Sequence, residues 1–516
     1  MRVPAACIDS LRVETNVSAK SDSVADRRLV TRFAASTKPW LLVALLIIAS
    51  APACKKRTGG GGGGTPVTAA QMLEHWNQVS IDASGLDHTP STQGPPHDFG
   101  QQVGPGRSSR AIAIVHIAMF EAMNSIKRKY ESYVGFPVSP ANTSMLAAVG
   151  QAAHDTLVAL YPSQSAIFAD HLALDLSKVP HGAGRTNGIQ VGKNAAAAIL
   201  QMRAGDGSEL PEPLMHIDYI PSDQPGFWRQ DPISMHPLAL GADWDLVTPF
   251  LLASADQFRA PPPPAMSSPE YAAAFNEAKS VGGDGITTAT VRDEERTFIG
   301  IYWAYDGTPS LCAPPRLYNQ IAMQIAAEQG TDEVDLARLL ALVNVSMADT
   351  GIGVWESKYF YEFWRPVTGI RESEAGTGPS GIGDGNPATI GDATFTPLGA
   401  PASNLTGPNF TPPFPAYPSG HAGFGGALFQ TLRRFYGTDE IPFTFVSDEY
   451  NGETLDHDGM VRPLIPRTFL SLSEAEEENG QSRMYLGIHW AFDKVEGIAL
   501  GRKTADYVFD NSFRPL

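Results

Sequence analysis

The chain has 516 residues, 43% of them hydrophobic and 18% charged, enough to bury a large core in one large helical domain or in two or three smaller ones. A formal net charge of −17 repels nucleic acid and anionic membrane surfaces, so neither is expected as a partner and any anion site must be a local exception. Three cysteines, Cys7, Cys54 and Cys312, supply no intrachain disulfide framework, and Cys312 reads as packing.

The N-terminus reads as an export signal. Residues 40–51, "WLLVALLIIASA", follow Arg27, Arg28, Arg32 and Lys38, and the apolar run has signal-peptide length, too short to span a membrane. The pair Arg27-Arg28 reads as part of an ordinary basic region in preference to a twin-arginine signal. The run ends in "SAPAC", which resembles a bacterial lipoprotein cleavage site with Ala51 where leucine is usual. That resemblance implies a lipidated Cys54 and an exported protein of the bacterial cell envelope, periplasmic or on the surface. "KKRTGGGGGG" then reads as a flexible tether. Membrane contact is expected only through this lipid anchor, since no segment after Ala53 offers 18 continuous apolar residues.

From about Gln71 the periodicity is helical. Arg110 to Ile126, Met145 to Tyr161 and Gly188 to Gly205 place Ala, Ile, Leu and Met at three- and four-residue spacings, and no comparable set of alternating strand-like runs exists. The proline run "APPPPAM", Ala260 to Met266, separates two halves. In the second half helices are expected over Glu294 to Tyr305, Pro315 to Glu328, Glu333 to Tyr361, Ala422 to Tyr436 and Ser473 to Phe509, the last two with interruptions. Glu372 to Ala393, rich in Gly, Pro and Asp, reads as a long functional or mobile loop, and "EAEEE", Glu474 to Glu478, as a solvated helix face. The expectation is an all-α protein of helical bundles, two four-helix-bundle-like halves. Its divisions are 1–53 signal, 54–70 tether, 71–265 N-terminal helical domain and 266–516 C-terminal helical domain. Nothing in the sequence sets an oligomeric state.

Three short motifs carry chemistry. In "KYFYEFWRP" Lys358 and Arg365 lie seven apart, nearly one face of a helix that Pro366 would end. In "PSGH" Ser419 is a favoured helix N-cap, Gly420 permits close backbone approach, and His421 stands beside the helix-start amides that attract anions. In "SRMYLGIHWAFD" Arg483 and His489 lie six apart and flank one sector of a continuous helix. Singly each has a bland reading: snorkelling cations, a common cap, a core histidine. Together they supply two arginines, a lysine, a helix start with a hydroxyl, and two histidines, the donors that a tetrahedral oxoanion needs. The remaining histidines, among them His75, His88, His116 and His171, show no paired metal spacing and read as core or exposed residues.

In that order, K-x6-R-P, P-S-G-H and S-R-x5-H resemble the signatures shared by vanadium-dependent haloperoxidases and type 2 phosphatidic acid phosphatases. The flanks "WESKYFYEFWRP", "PFPAYPSGHAGFGGALFQTLRRFYG" and "YWAYDGTPSLCAPPRLYNQIA" are similar to the chloroperoxidase branch, and the resemblance runs from about Met72 to Asp506. It implies a vanadate cofactor in the C-terminal bundle, with His489 as its ligand. Lys358, Arg365, Arg483, Ser419 and Gly420 would be its oxygen donors and His421 the acid–base group. It also implies Asp306 as the partner of Arg483, and Trp355 and Phe414 as aromatic walls on the halide side. Hydrogen peroxide and halide are the implied substrates, with Lys358 polarising the bound oxygens, hypohalous acid leaving and a small organic acceptor taking the halogen. Phe at 414, where many bromoperoxidases of the family have His, favours chloride together with bromide over bromide alone. The stretch from Phe445 to Gly480 is shorter and differently composed than in that branch and is expected to shape access to the site. The alternative from the same residues is an acid phosphatase, in which His489 would form a phosphohistidine and His421 would protonate the leaving group.

Overall fold

The computed structural model describes residues 67–516, and Thr65–Leu516 cluster as one compact unit. The signal, Cys54 and most of the tether lie outside the described residues.

In chain order the helices are α1 Ala69–Asp87, α2 Pro105–Lys127, α3 Met145–Leu160, α4 Ser165–Ser177, α5 Ala183–Met202, α6 Pro269–Gly282, α7 Glu294–Tyr302, α8 Pro315–Glu328, α9 Glu333–Tyr361, α10 Pro366–Arg371, α11 Gly420–Tyr436, α12 Leu472–Tyr485 and α13 Ala491–Asn511. Their starts follow local chemistry. Thr68 and Gln71 form a reciprocal capping box, and Ser144, Ser268, Asp293, Asp332, Ser419 and Ser471 each accept a backbone amide from the first turn. The all-α expectation holds with one addition, a two-stranded antiparallel hairpin of β1 Phe443–Asn451 and β2 Leu464–Phe469. Its first strand, "FTFVSDEYN", buries Phe443, Phe445 and Ser447 alternately, a short period-2 signal that the helical flanks obscure.

The long α9 is the axis of the core. It is apolar and long enough to cross a membrane by composition, yet its apolar window is entirely buried, with α2, α11 and α13 packed around it. The closest packing is between α11 and α13, where a Cβ added at Gly497 would stand 2.6 Å from the Ser419 carbonyl oxygen, so only glycine lets α13 pass behind the PSGH turn. Small residues Ala422 and Gly423 of α11 do the same on the other side, as expected for a helix pressed against its neighbours.

Several local expectations change. The Glu333 helix ends at Tyr361 as expected, but Glu362 takes a left-handed conformation and its amide closes on Lys358, so the chain turns before Arg365. Arg365 therefore caps α10 and does not share a face of α9 with Lys358. The interruption expected within Ser473 to Phe509 falls between Leu486 and Trp490, with Gly487 at φ +70°, so Arg483 and His489 do not share a continuous helix. In "EAEEE", Glu474 and Glu477 are exposed as expected, but Glu476 is buried, held between Arg433, 2.6 Å away, and Arg502. The 372–393 loop packs on α6, with Asn276 Nδ2 of that helix donating to the Ala388 carbonyl at 3.0 Å.

Candidate active site

The breaks in α9 and before α13 bring Lys358, Arg365 and His489 together. Lys358 is fully buried and donates to the Pro415 and Ala416 carbonyls at 2.8 and 2.9 Å, leaving one of its three protons for a ligand. Arg365 donates through Nε to the Phe414 carbonyl at 2.9 Å and through one terminal nitrogen to the Ile488 carbonyl at 2.8 Å. The same nitrogen stands 2.9 Å from His489 Nε2.

His489 is fixed by a residue that the motif reading left without a role. Its Nδ1 faces the Asp493 carboxylate at 2.7 Å, four residues on, and Asp493 also accepts the Trp490 amide at 3.0 Å. A carboxylate oxygen only accepts, so this network places the ring proton on Nδ1 and leaves the Nε2 lone pair facing Arg365. That is the tautomer a ligand-donating histidine needs. The signal available in the sequence was the His-x3-Asp spacing.

His421 is set the opposite way. Its Nε2 donates to the Ala304 carbonyl at 2.5 Å, so in the neutral ring the free nitrogen is Nδ1. Asp306, two residues after that carbonyl, holds Arg483 at 2.6 Å and stands 3.9 Å from His421 Nε2. Ser419 caps α11, accepting the Ala422 amide at 3.4 Å. Gly420 is the first residue of that helix, where backbone amides lack intrahelical partners. A Cβ at Gly420 would meet the Trp355 ring at 3.3 Å.

The segment from Tyr302 to Asp306 is clamped by the hairpin. Ser447 Oγ donates to the Tyr302 carbonyl at 2.6 Å, the Asp448 amide to the Tyr305 hydroxyl at 2.6 Å, and the Tyr305 amide to Glu449 at 3.3 Å. Glu449 is fully buried and also receives Ser403 and Arg462, at 2.6 and 2.5 Å. No residue from 445 to 480 lines the cavity above the site, so the expectation that the Phe445 to Gly480 stretch shapes access gives way to a buttressing role for its first strand.

The electrostatics are one-sided. Lys358 is held well below its ordinary pKa by burial and by the charges of Arg365 and Arg483, and burial pulls Arg365 down to about 9. Burial, then neighbouring cations, likewise lowers both His421 and His489. Burial raises Asp493 and Asp306, while the adjacent cations oppose that rise. Three cations against two carboxylates leave room for an anionic guest.

The donors fit such a guest. Arg483 is fully buried, and its Nε and one terminal nitrogen have no hydrogen-bond partner within the protein. Two guanidinium donors without acceptors in a buried site are costly unless a ligand accepts them, and a planar guanidinium suits an oxoanion. The structure thus brings together all ten residues singled out in the sequence. Trp355 and Phe414 stack with ring centroids 4.9 Å apart, and the Phe414 ring lies 5.1 Å from Lys358 Nζ. What the sequence reading missed is Asp493, the backbone carbonyls of Ala304, Pro415 and Ala416, and the cavity walls from the N-terminal half, including His88, Val103 and Leu240.

A helical fold whose buried floor offers one oriented histidine nitrogen and a ring of cationic donors defines the class of helical-bundle proteins that hold a tetrahedral oxoanion. Within that class the comparisons are specific. Residues 338–515 match the family model "VCPO second helical-bundle domain". The chain is 31% identical to vanadium chloroperoxidase of Curvularia inaequalis, with 85% of this chain and 82% of that one aligned. It superposes on the structure of a bacterial vanadium-dependent iodoperoxidase with TM-score 0.68 at 23% identity, covering 88% of this chain and 99% of that one. A holo-type bacterial vanadium-dependent chloroperoxidase gives TM-score 0.60 at 15% identity, covering 84% and 96%. The chain belongs to the vanadium haloperoxidase family.

Proposed function

We propose that this protein oxidises bromide and chloride with hydrogen peroxide, releasing the oxidation level of hypohalous acid, at a vanadate bound through His489 Nε2. The observation that carries the reading is the pairing of an Nε2 lone pair, oriented by Asp493, with the unpartnered donors of Arg483 across the same floor. Lys358, Arg365, Arg483, the Ser419 hydroxyl and the Gly420 amide would hold the oxygens. Bound vanadate supplies Lewis acidity that activates peroxide toward halide.

The chain's own groups do the rest. Asp493 keeps the His489 proton on Nδ1 and therefore keeps Nε2 a donor of its lone pair. His421, anchored through Nε2, takes a proton from incoming peroxide on Nδ1 and returns it to the departing oxygen. Its depressed basicity leaves it neutral, and so able to accept, at neutral pH. Lys358, with two of its protons held by the Pro415 and Ala416 carbonyls, would offer the third to an oxygen of the bound group. Trp355 and Phe414 exclude water from the halide side without adding an ionisable group, which supports chloride as well as bromide.

The test is halogenation of monochlorodimedone by vanadate-reconstituted protein with peroxide and chloride, bromide or iodide, beside hydrolysis of p-nitrophenyl phosphate by vanadate-free protein. Vanadate-dependent bromination and chlorination are expected. Phosphate hydrolysis alone, with vanadate only inhibiting, would replace this reading with a phosphatase that uses the same floor. We further propose that the protein works outside the cytoplasm on a lipid anchor at Cys54, read by metabolic labelling with a fatty-acid analogue and its loss in Cys54→Ala.

A further inference from the structure

Above the oxoanion floor stands a cavity of about 510 Å³. Halide and peroxide need a small fraction of that space, whereas pockets for whole organic ligands run from about 300 to 1,000 Å³. The walls are of one chemical kind. Among the lining residues the only Asp, Glu, Lys or Arg side chains are Asp306 and Arg483, and these two pair with each other at the base, 2.6 Å apart. Four histidines also line it: His421 and His489 belong to the floor, His236 lies on the wall, and the fourth is His88. Burial opposes charge on His88, but the neighbouring Cys312 raises its pKa to about 9. Both its ring nitrogens are turned to backbone, Nδ1 to the Ser84 carbonyl at 2.8 Å and Nε2 accepting the Gly104 amide at 3.0 Å, a pattern that only the neutral ring satisfies. In a chain with 93 Asp, Glu, Lys and Arg residues (38 + 55), a cavity wall with no other side chain of these four kinds is a selective feature.

What replaces charge is apolar and stiff. Phe99, Ile233, Leu238, Leu405 and Phe410 form the upper wall, and Leu240, Trp355, Phe414 and Phe424 continue it to the floor. Five prolines, from Pro105 to Pro413, fix the backbone between them, so the cavity is preformed. The wall segments are also tied to one another. Asp231, just before Ile233, accepts the Thr411 amide at 3.2 Å, and the Leu240 carbonyl accepts both Trp355 Nε1 and the Tyr359 hydroxyl at 3.0 Å. His236 on the wall is solvent-exposed, and what burial it has lowers its pKa, which favours the neutral ring.

From this we infer that the cavity is a binding subsite for a neutral, apolar organic acceptor with an electron-rich double bond or aromatic ring, which takes the halogen while bound. The inference rests on the proposed halide oxidation. The balance closes with the reagents of that reaction. For an alkene, halide, peroxide and a proton give a halohydrin and one water: two electrons pass from halide to peroxide, the O–O bond breaks, and the alkene forms one carbon–halogen and one carbon–oxygen bond. Charged acceptors are excluded, since a carboxylate or ammonium placed against this wall would lose its hydration without gaining a partner.

The probe is 2-vinylnaphthalene, neutral and prochiral. Freely diffusing hypobromous acid has no handedness and gives racemic bromohydrin, so an enantiomeric excess reports an acceptor held in a chiral site. The holoenzyme is expected to give an enantiomeric excess with bromide and peroxide, and the vanadate-free protein to bind the probe by fluorescence titration. Ile233→Asp and Leu405→Asp, both partly exposed and away from the oxoanion floor, are expected to weaken probe binding at least about tenfold by placing a charge on the apolar wall. They should abolish the excess while leaving bromination of monochlorodimedone within about twofold. Racemic product from an enzyme that brominates monochlorodimedone would overturn the subsite and leave the haloperoxidase reading intact. If vanadate gave no bromination at all, the haloperoxidase reading would fall and the inference with it, and fluorescence titration would then report only whether the cavity takes apolar ligands. Binding unchanged in both variants would also overturn the subsite.

Discussion

The two histidines of the floor are held by different kinds of structure. His489 is fixed from four residues away by Asp493, within a stretch that also builds the first turn of α13. His421 is fixed from 117 residues away by the Ala304 carbonyl, and the segment carrying that carbonyl is itself clamped by the hairpin through Ser447, Asp448 and Glu449. The ligand side is local and built from side chains, and the proton side is long-range and built largely from backbone. Damage to the first should strike cofactor binding, and damage to the second should strike turnover.

The largest effect is expected at the ligand itself. His489→Ala should take vanadate-dependent bromination to background and remove vanadate retention on equilibrium dialysis, while the far-UV circular dichroism stays unchanged. Retained activity would remove His489 from the ligand role. Next comes Asp493→Ala, which frees the ring to carry its proton on Nε2. Loss of an outer partner of this kind costs about 10- to 100-fold in metal affinity, so the vanadate dissociation constant should rise by that factor, with kcat at saturating vanadate less affected.

The opposite split is expected on the proton side. Glu449→Gln keeps the shape of the buttress but weakens its grip on Tyr305 and Arg462, letting the Ala304 carbonyl shift under His421. It should lower kcat several-fold, short of the about 100-fold or more that a lost general acid–base group costs, and change vanadate affinity little. A kcat loss accompanied by an equal loss of vanadate affinity would show that the hairpin supports the whole floor. Glu449→Ala should in addition destabilise the fold by about 3 kcal/mol, because Arg462 would be left buried and unpaired, a change visible as a lowered denaturation midpoint.

The same contrast explains what could be read from the sequence. Lys358, Arg365, Ser419, His421, Arg483 and His489 were legible because each is a chemically distinctive residue in a short, ordered motif. Their relative placement was not: the helical spacing arguments for Lys358 with Arg365, and for Arg483 with His489, both failed where Glu362 and Gly487 break the helices. Those breaks are what turn Arg365 and His489 inward. Helix positions were recovered closely, with Pro315–Glu328 and Glu333–Tyr361 as expected, since apolar periodicity and Asp332 capping agree there. A carbonyl such as that of Ala304 leaves no mark in a sequence, because every residue has one. The hairpin was lost for a related reason, its nine-residue first strand offering too short an alternation to outweigh its helical surroundings.

The smallest effect concerns both histidines at once and is read without any cofactor. Burial first, and then the neighbouring Arg483, Arg365 and Lys358 charges, hold His421 and His489 below the ordinary imidazole value of 6.5. A ring depressed in the fold binds fewer protons there than in the unfolded chain. Its contribution to stability is therefore complete above pH 6.5 and is lost as pH falls through that value toward the folded one. Each ring should cost about 1 kcal/mol per pH unit in that window, so the denaturation midpoint of vanadate-free protein should fall between pH 7 and pH 5. His421→Gln removes one of the two titrations and should make that slope shallower. An unchanged slope would mean that the folded protein protonates His421 as easily as the unfolded chain does, and the cationic floor would then be less insulated from water than its burial implies.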